Sequence, residues 1–226
     1  MKLVPCACRY VCGLQPIPIV SMISHALDII QKELQANLDS YPAAANSGFT
    51  SAVSNIAIIS ASPAPEPNNQ TDIVLTLVNI REDKSLKNVP TYVRNDVTMK
   101  AAYENPPVYA NFLLLFSVIH SNYLPGLSAL SRVIRFFQYK NVFTQDNVAP
   151  ASLNGMIQEE DRLEEFKLIL DLYSPTLEEV NHLWGTLGGK QHPFMLYTLR
   201  MLDLKFKGQV QEGPLITEVF SEFRHK

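Results

Sequence analysis

The sequence is short of the features that usually announce a chemistry. Its three cysteines, Cys6, Cys8 and Cys12, all fall in the first dozen of 226 residues, so no disulfide framework is available to stabilise the rest. Their C-x-C-x3-C spacing supplies no fourth ligand and lacks the paired C-x2-C pattern of zinc sites. Charge of one sign is equally scarce. Lys and Arg total 19 against 22 Asp and Glu, a net charge of -3 with no run of five like charges. That balance leaves no electrostatic footprint for nucleic acid or an anionic membrane, so neither is expected as a partner. The longest apolar run, "FLLLFSVI" from Phe112 to Ile119, falls far short of the ~20 residues a spanning helix needs, and Pro106, Pro107 and Pro125 bracket it. The opening "MKLVPCACRYVCGLQPIPIVS" is broken by Arg9, Pro16 and Pro18, which makes a poor secretory signal. Residues 1–21 are expected to be a disordered extension, or a misassigned start with Met22 as the true first residue.

What is present is a large apolar fraction, 46% of residues, enough for one substantial core. Residues 22–226 are therefore expected to form a single domain. Ile23, Ala26, Leu27, Ile30, Leu34 and Leu38 recur at helical spacing and predict an amphipathic helix over 22–38. "VSNIAIIS" and "TDIVLTLVNI" are short, apolar and β-branched, which predicts two strands. Arg81 to Pro107 mixes charge, Asn and Pro and predicts a long, partly extended arm suited to partner contacts. Val108 to Ile119 is apolar on both alternating faces, the pattern of a central strand buried on both sides. A second helix is predicted over 124–139, with Pro125 in its first turn. "EFKLILDLY" alternates as a half-buried strand. Thr176 and Glu179 stand at capping-box spacing before a third helix, whose stripe is Leu177, Val180, Leu183, Trp184 and Leu187. Gly188 and Gly189 stop that helix. Phe194 to Phe206 predicts a strand, and Leu215 to Phe220 a short last one. The order argues for an α+β fold, a mixed and largely antiparallel sheet with about three helices packed on one face.

"NHLWGTLGGKQHPFMLY", Asn181 to Tyr197, is where a chemical site would be sought first, because it gathers two histidines, the only tryptophan, three glycines and a lysine. A phosphate loop needs G-x4-G-K-[ST] between a strand and a helix, so that backbone amides and helix terminus aim together at the phosphates. Here Gly189-Lys190 follows a helix, has Trp184 five positions before Gly189, and is followed by Gln191. The motif fails in sequence and in context. His182 and His192 stand ten residues apart, without H-x3-H or H-E-x2-H spacing, which does not support a shared metal. No G-x-S-x-G is present for a nucleophile elbow. No cofactor, metal or catalytic residue is expected, and the chain is not expected to be an enzyme.

Taken in order, "MISHALDIIQKEL", "DIVLTLVNIREDKSLKN", "YENPPVYANFLLLFSV", "LSRVIRFFQYKNVFT" and "LEEVNHLWGTLGGKQHPFMLYTLRM" resemble the successive signature blocks of the tail-cap, or terminator, family of extracellular contractile injection systems. These are headless, phage-tail-like particles that include the antifeeding prophage and the Photorhabdus virulence cassettes. The resemblance runs from about Met22 to about Met201 and implies a phage tail-terminator-like α+β fold. It further implies a structural role: a homo-hexameric ring that closes the inner tube, meets the last sheath ring and stops elongation. The implied partners are further copies of the chain and the tube and sheath proteins. The implied location is a particle assembled in the bacterial cytoplasm and later released.

The contact candidates fall in three places. On the arm they are Arg81, Lys84, Lys87, Arg94 and Tyr103; on the second helix, Arg132 and Arg135; around the glycine stop, Trp184, Lys190 and His192. Against these stand a solvated helix face for the two arginines and ordinary core for Trp184. Two other functions would use the same chain differently. An adaptor or cargo-loading module of the particle would need no ring, and an enzyme would need a pocket around Tyr103, His120 or His182.

Overall fold

A computed structural model describes residues 22–41, 48–61, 72–83, 92–95, 100–103, 108–153, 163, 166–204 and 211–214. The expected extension, Lys84, Lys87 and the strand expected at Leu215 to Phe220 lie outside them. In chain order the elements are α1 (Met22–Asp39), β1 (Ser51–Val53), α2 (Ile56–Ala61), β2 (Ile73–Glu82), β3 (Tyr92–Asn95), β4 (Lys100–Tyr103) and β5 (Val108–Val118). There follow α3 (Tyr123–Tyr139), β6 (Val142–Thr144), α4 (Pro150–Leu153), β7 (Lys167–Tyr173), α5 (Leu177–Thr186), β8 (Phe194–Leu204) and β9 (Gln211–Pro214).

Six strands form the main sheet in the order β1-β2-β5-β8-β7-β6, antiparallel throughout except for the parallel β1–β2 pair. The fold is thus α+β with a mixed, largely antiparallel sheet. β5 lies at its centre between the two other long strands, as the two-sided apolar pattern required. Phe112, Leu114, Phe116 and Val118 join one core, while Leu113 and Leu115 join the other. Bulges at Leu77/Asn79 and Ala110/Phe112 bend the strands near the end where β2 and β8 leave the sheet and β5 enters it. β3, β4 and β9 form a separate three-stranded sheet, so the region predicted as an extended arm contains a hairpin that is joined by β9.

Three expectations are corrected. The helices do not share one face: α1 and α3 pack on one core, whereas α5, with Ile56 and Ile59 of α2, packs on the other. There are also five helices among the described residues rather than about three. The third accounts for part of the other two: "VSNIAIIS" is not a strand, since β1 stops at Val53 and α2 begins at Ile56. The cause is local and polar. Asn55 Oδ1 accepts the Ala57 N–H at 3.0 Å, and the Asn55 carbonyl accepts from Ile58 and Ile59. From the neighbouring strand β2, buried Thr76 accepts the Ile56 N–H at 3.1 Å and donates to the Ser54 carbonyl at 2.7 Å. These bonds satisfy the groups a strand ladder would otherwise have used.

The larger core is built on aromatic contacts, with Phe137 4.9 Å from Tyr197 and 5.0 Å from Phe116 between ring centroids. Each such pair contributes about 0.5–1.5 kcal/mol beyond the area it buries. α1 is held to the segment after α3 by a buried polar contact: Glu33 receives the Lys140 ammonium at 2.7 Å and the Ala149 N–H at 2.8 Å. That contact sets the spacing between α1 and the end of α3.

Candidate interaction surfaces

α5 illustrates how completely its sequence specifies its ends. Thr176 Oγ1 accepts the Glu179 N–H at 3.3 Å, and the Glu179 carboxylate accepts the Thr176 N–H at 2.8 Å, a complete capping box. The same carboxylate receives the Tyr173 hydroxyl at 2.9 Å. The bond from the Thr176 backbone, then the tyrosine hydroxyl, hold the Glu179 pKa below the ordinary glutamate value, with a smaller contribution from the charge of Arg81. At the other end Gly188 and Gly189 take φ of 103° and 77°, and the Gly189 N–H closes on the Trp184 carbonyl at 2.7 Å. This six-to-one closure requires a left-handed residue, which glycine adopts without strain.

Trp184 is only 4% exposed and packs with Val180, Leu183, Leu187 and Phe194 in the second core. Its ring lies 5.4 Å from Phe194 and 5.9 Å from His192. Burial, and then the nearby Lys190 charge, push the His192 pKa down, favouring the neutral imidazole. Lys190 and Gln191 face outward. The stretch from Asn181 to Tyr197 is therefore a helix end, a glycine closure and an entry into β8, and Trp184 offers a partner almost no surface.

On the opposite face of the sheet, the two arginines of α3 differ in their surroundings. The Arg132 guanidinium sits 4.6 Å from the Tyr41 ring centroid and 4.8 Å from that of Phe49, an intramolecular cation–π contact to two rings. Arg135 is exposed and borders a groove of about 300 Å³ lined also by Asn37, Tyr41, Phe136, Gln138 and Tyr139. Arg81 lies exposed on β2, and Arg94 and Tyr103 occupy β3 and β4, Arg94 opposite Ala101 and Tyr103 opposite Tyr92. The candidates thus lie on both faces and on the arm.

The residues considered for an enzyme are equally separated. His120 stands edge-on to Phe49 beside the first core and accepts the Asn122 N–H at 3.0 Å, while His182 is exposed on α5 across the sheet. A second groove, of about 360 Å³, is lined by Thr144, Gln145, Asp146, Phe166 and Lys167. Neither groove brings a nucleophile, a base and an oxyanion donor together. Among the described residues no three His, Cys, Asp or Glu side chains are gathered for a metal. None of the described helices is long and apolar enough to cross a membrane.

The groove beside Arg135 and the exposed apolar residues at the starts of α3 and α5 were not among the sequence-derived candidates. One signal was available: "YLPGLSALSRVIRFFQY" contains two arginines and no acid, and places a tyrosine at each end.

No protein of curated function matches the chain in sequence. Among solved structures, it is similar to the PVC sheath/tube terminator of an extracellular contractile injection system in the extended state. That match has a TM-score of 0.50 at 14% identity and covers 88% of this chain and 63% of the other. It is similar also to the anti-feeding prophage cap, described as a tube-terminating cap, with a TM-score of 0.50 at 13% identity, over 88% of this chain and 60% of that one. The chain therefore spans about three-fifths of the length of each. Residues 26–218 match the family described as the Pvc16 N-terminal domain. The signature blocks and the fold lead to the same place, and the chain belongs to the Pvc16 N-terminal domain family.

Proposed function

We propose that this chain is a structural cap of a contractile, phage-tail-like injection particle, forming a ring, hexameric in the complete particle, that closes the tube and sheath end and stops elongation. The observation that carries the reading is the shared fold with two tube terminators over 88% of the chain, together with membership of the Pvc16 N-terminal domain family. The physical task of a cap is complementarity on one side and blocking on the other. Such a task requires matched surfaces rather than a reaction, and the dispersed polar groups on both sheet faces agree with it. Residues 22–226 form the capping unit in this reading, and the particle is put together in the bacterial cytoplasm before release. The tube and sheath subunits at the tail end are its partners, with further copies of itself.

Deletion of the gene followed by negative-stain imaging tests the reading. The expected result is tubes of irregular, extended length without a closed end, restored when the gene is supplied again. Particles of normal length and closed ends that have lost only their cargo would replace the cap with a loading module.

A further inference from the structure

The faces of α3 and α5 that point away from the sheet are opposite in character and in position. α3 has no acidic residue in its 17 positions and turns Leu124, Ser128, Ser131, Arg135 and Tyr139 outward, with Leu124 75% and Tyr139 88% exposed. α5 has no lysine or arginine in its 10 positions and turns Glu178, Asn181, His182 and Gly185 outward, beside Leu177 at 78% exposure. Exposed large apolar residues beside charges of one sign are the composition of a docking patch rather than of a solvated face.

α3 buries its inner residues in one core and α5 in the other, so the sheet stands between the two outward faces. Within one molecule they cannot meet. In two copies they can, and the single chain then supplies both the cationic and the anionic partner. The groove of about 300 Å³ at the C-terminal end of α3, bordered by Tyr41, Arg135 and Tyr139, provides a receiving surface at the cationic end. Leu177 and Glu178, adjacent at the start of α5, provide a projecting apolar side chain and a carboxylate of the complementary sign.

We propose that the outward face of α5 in one copy docks on the outward face of α3 in the next, with Leu177 entering the groove beside Arg135 and Glu178 facing that guanidinium. The contact is heterologous, a head-to-tail joint that generates a ring when the rotation between copies closes. It rests on the ring reading above and specifies which surfaces form the joint. The helix α5 is ~15 Å long at 1.5 Å per residue, so the pair keys the interface and does not make up all of it.

The test uses the full chain, followed by sedimentation velocity across a concentration series at low and at physiological salt. Arg135→Glu and Glu178→Arg are each expected to raise the midpoint concentration for association at least ~10-fold, because like charges then face each other. The double charge swap is expected to return it to within about threefold of the unaltered chain. Leu177→Asp, judged folded by an unchanged circular dichroism spectrum, is expected to weaken association without rescue by the swap. If the unaltered chain forms rings and the variants form them equally well, the α3–α5 joint is wrong and the ring reading stands. If the unaltered chain stays monomeric at every concentration and on addition of tube ends, the ring reading falls and the joint with it.

Discussion

Replacing Glu33 by alanine would test the contact that holds α1 against the end of α3. Glu33 lies on the buried side of α1, with its side chain 10% exposed, and Lys140, 20% exposed, caps the C-terminus of α3. The carboxylate takes the Lys140 ammonium at 2.7 Å and the Ala149 N–H at 2.8 Å. Removing one member of a buried pair costs about 3–5 kcal/mol. Here Lys140 keeps a second bond to the Asn147 carbonyl at 2.7 Å and some access to water, so the lower value of about 2–3 kcal/mol applies. In a domain of this size that corresponds to a fall of ~5–10 °C in Tm. Glu33→Gln keeps an acceptor for the Ala149 N–H and loses only the charge, for about 1–2 kcal/mol. The pH dependence gives an independent readout. Burial alone raises the Glu33 pKa, but Lys140, the Ala149 N–H and Ser152 together outweigh it and leave the pKa below the ordinary value. The unfolded chain then binds the proton more readily than the folded one, so this stabilisation is complete above the unfolded glutamate pKa of about 4.3 and is lost as pH falls through the lower folded value. Urea denaturation at pH 7 and again below pH 4 should therefore show the gap between the parent and Glu33→Gln closing in acid. A Glu33→Ala variant within about 0.5 kcal/mol of the parent at pH 7 would refute the reasoning, as would a Glu33→Gln gap that does not change with pH.

Other substitutions probe the second face and the turn beside it. Trp184→Ala should cost about 3–5 kcal/mol in denaturant unfolding through the cavity it leaves under α5, and Trp184→Phe clearly less. Gly188→Ala meets open space but must hold φ near 103°, so a loss of about 1 kcal/mol should appear with no change in the core's near-UV signal. His192 has its pKa lowered by burial, so the folded chain resists protonation and stability should decline as pH falls below the unfolded histidine value of about 6.5. His192→Gln should flatten that part of the stability profile, measured by thermal unfolding between pH 7.5 and 5.

Periodic patterns spanning three or more turns, or a whole strand, were legible in the sequence. α1, α3, α5, β5, β7 and β8 stand close to where apolar spacing places them, because each buries a stripe or a face whose period is its own. The capping box at Thr176 and the stop at Gly188 were legible for a different reason: helix ends obey local stereochemistry that needs no partner. "VSNIAIIS" was not legible. Its β-branched residues fit a strand, but Thr76, 20 and 22 positions beyond Ile56 and Ser54, occupies their backbone groups and favours a helix. The two-sided packing was missed with it, since nothing in the pattern of α5 says which face of the sheet it will cover. For the candidate interaction surfaces, residue type marked Arg132 and Arg135 alike and did not show that the charge of Arg132 is engaged by Tyr41 and Phe49. The surroundings that separate two arginines one helical turn apart exist only after folding.

The sheet edges bear on why the proposed joint uses helix faces. The long strands are interior, while the edge strands β1 and β6 have only three residues each. β1 pairs β2 over Ile73 to Leu75, and among the described residues no strand pairs the outer side of β2 beyond that point. An edge of this length would invite another strand if it were flat and apolar. Here it carries the bulge at Leu77/Asn79 and ends in Arg81 and Glu82, and both features oppose the stacking of one sheet onto the next. In the cap reading proposed above, edges that pair without limit would work against ending a polymer. In the proposed joint each copy offers one α3 face and one α5 face, so closure of the ring covers them all and leaves no exposed ladder for another copy to extend.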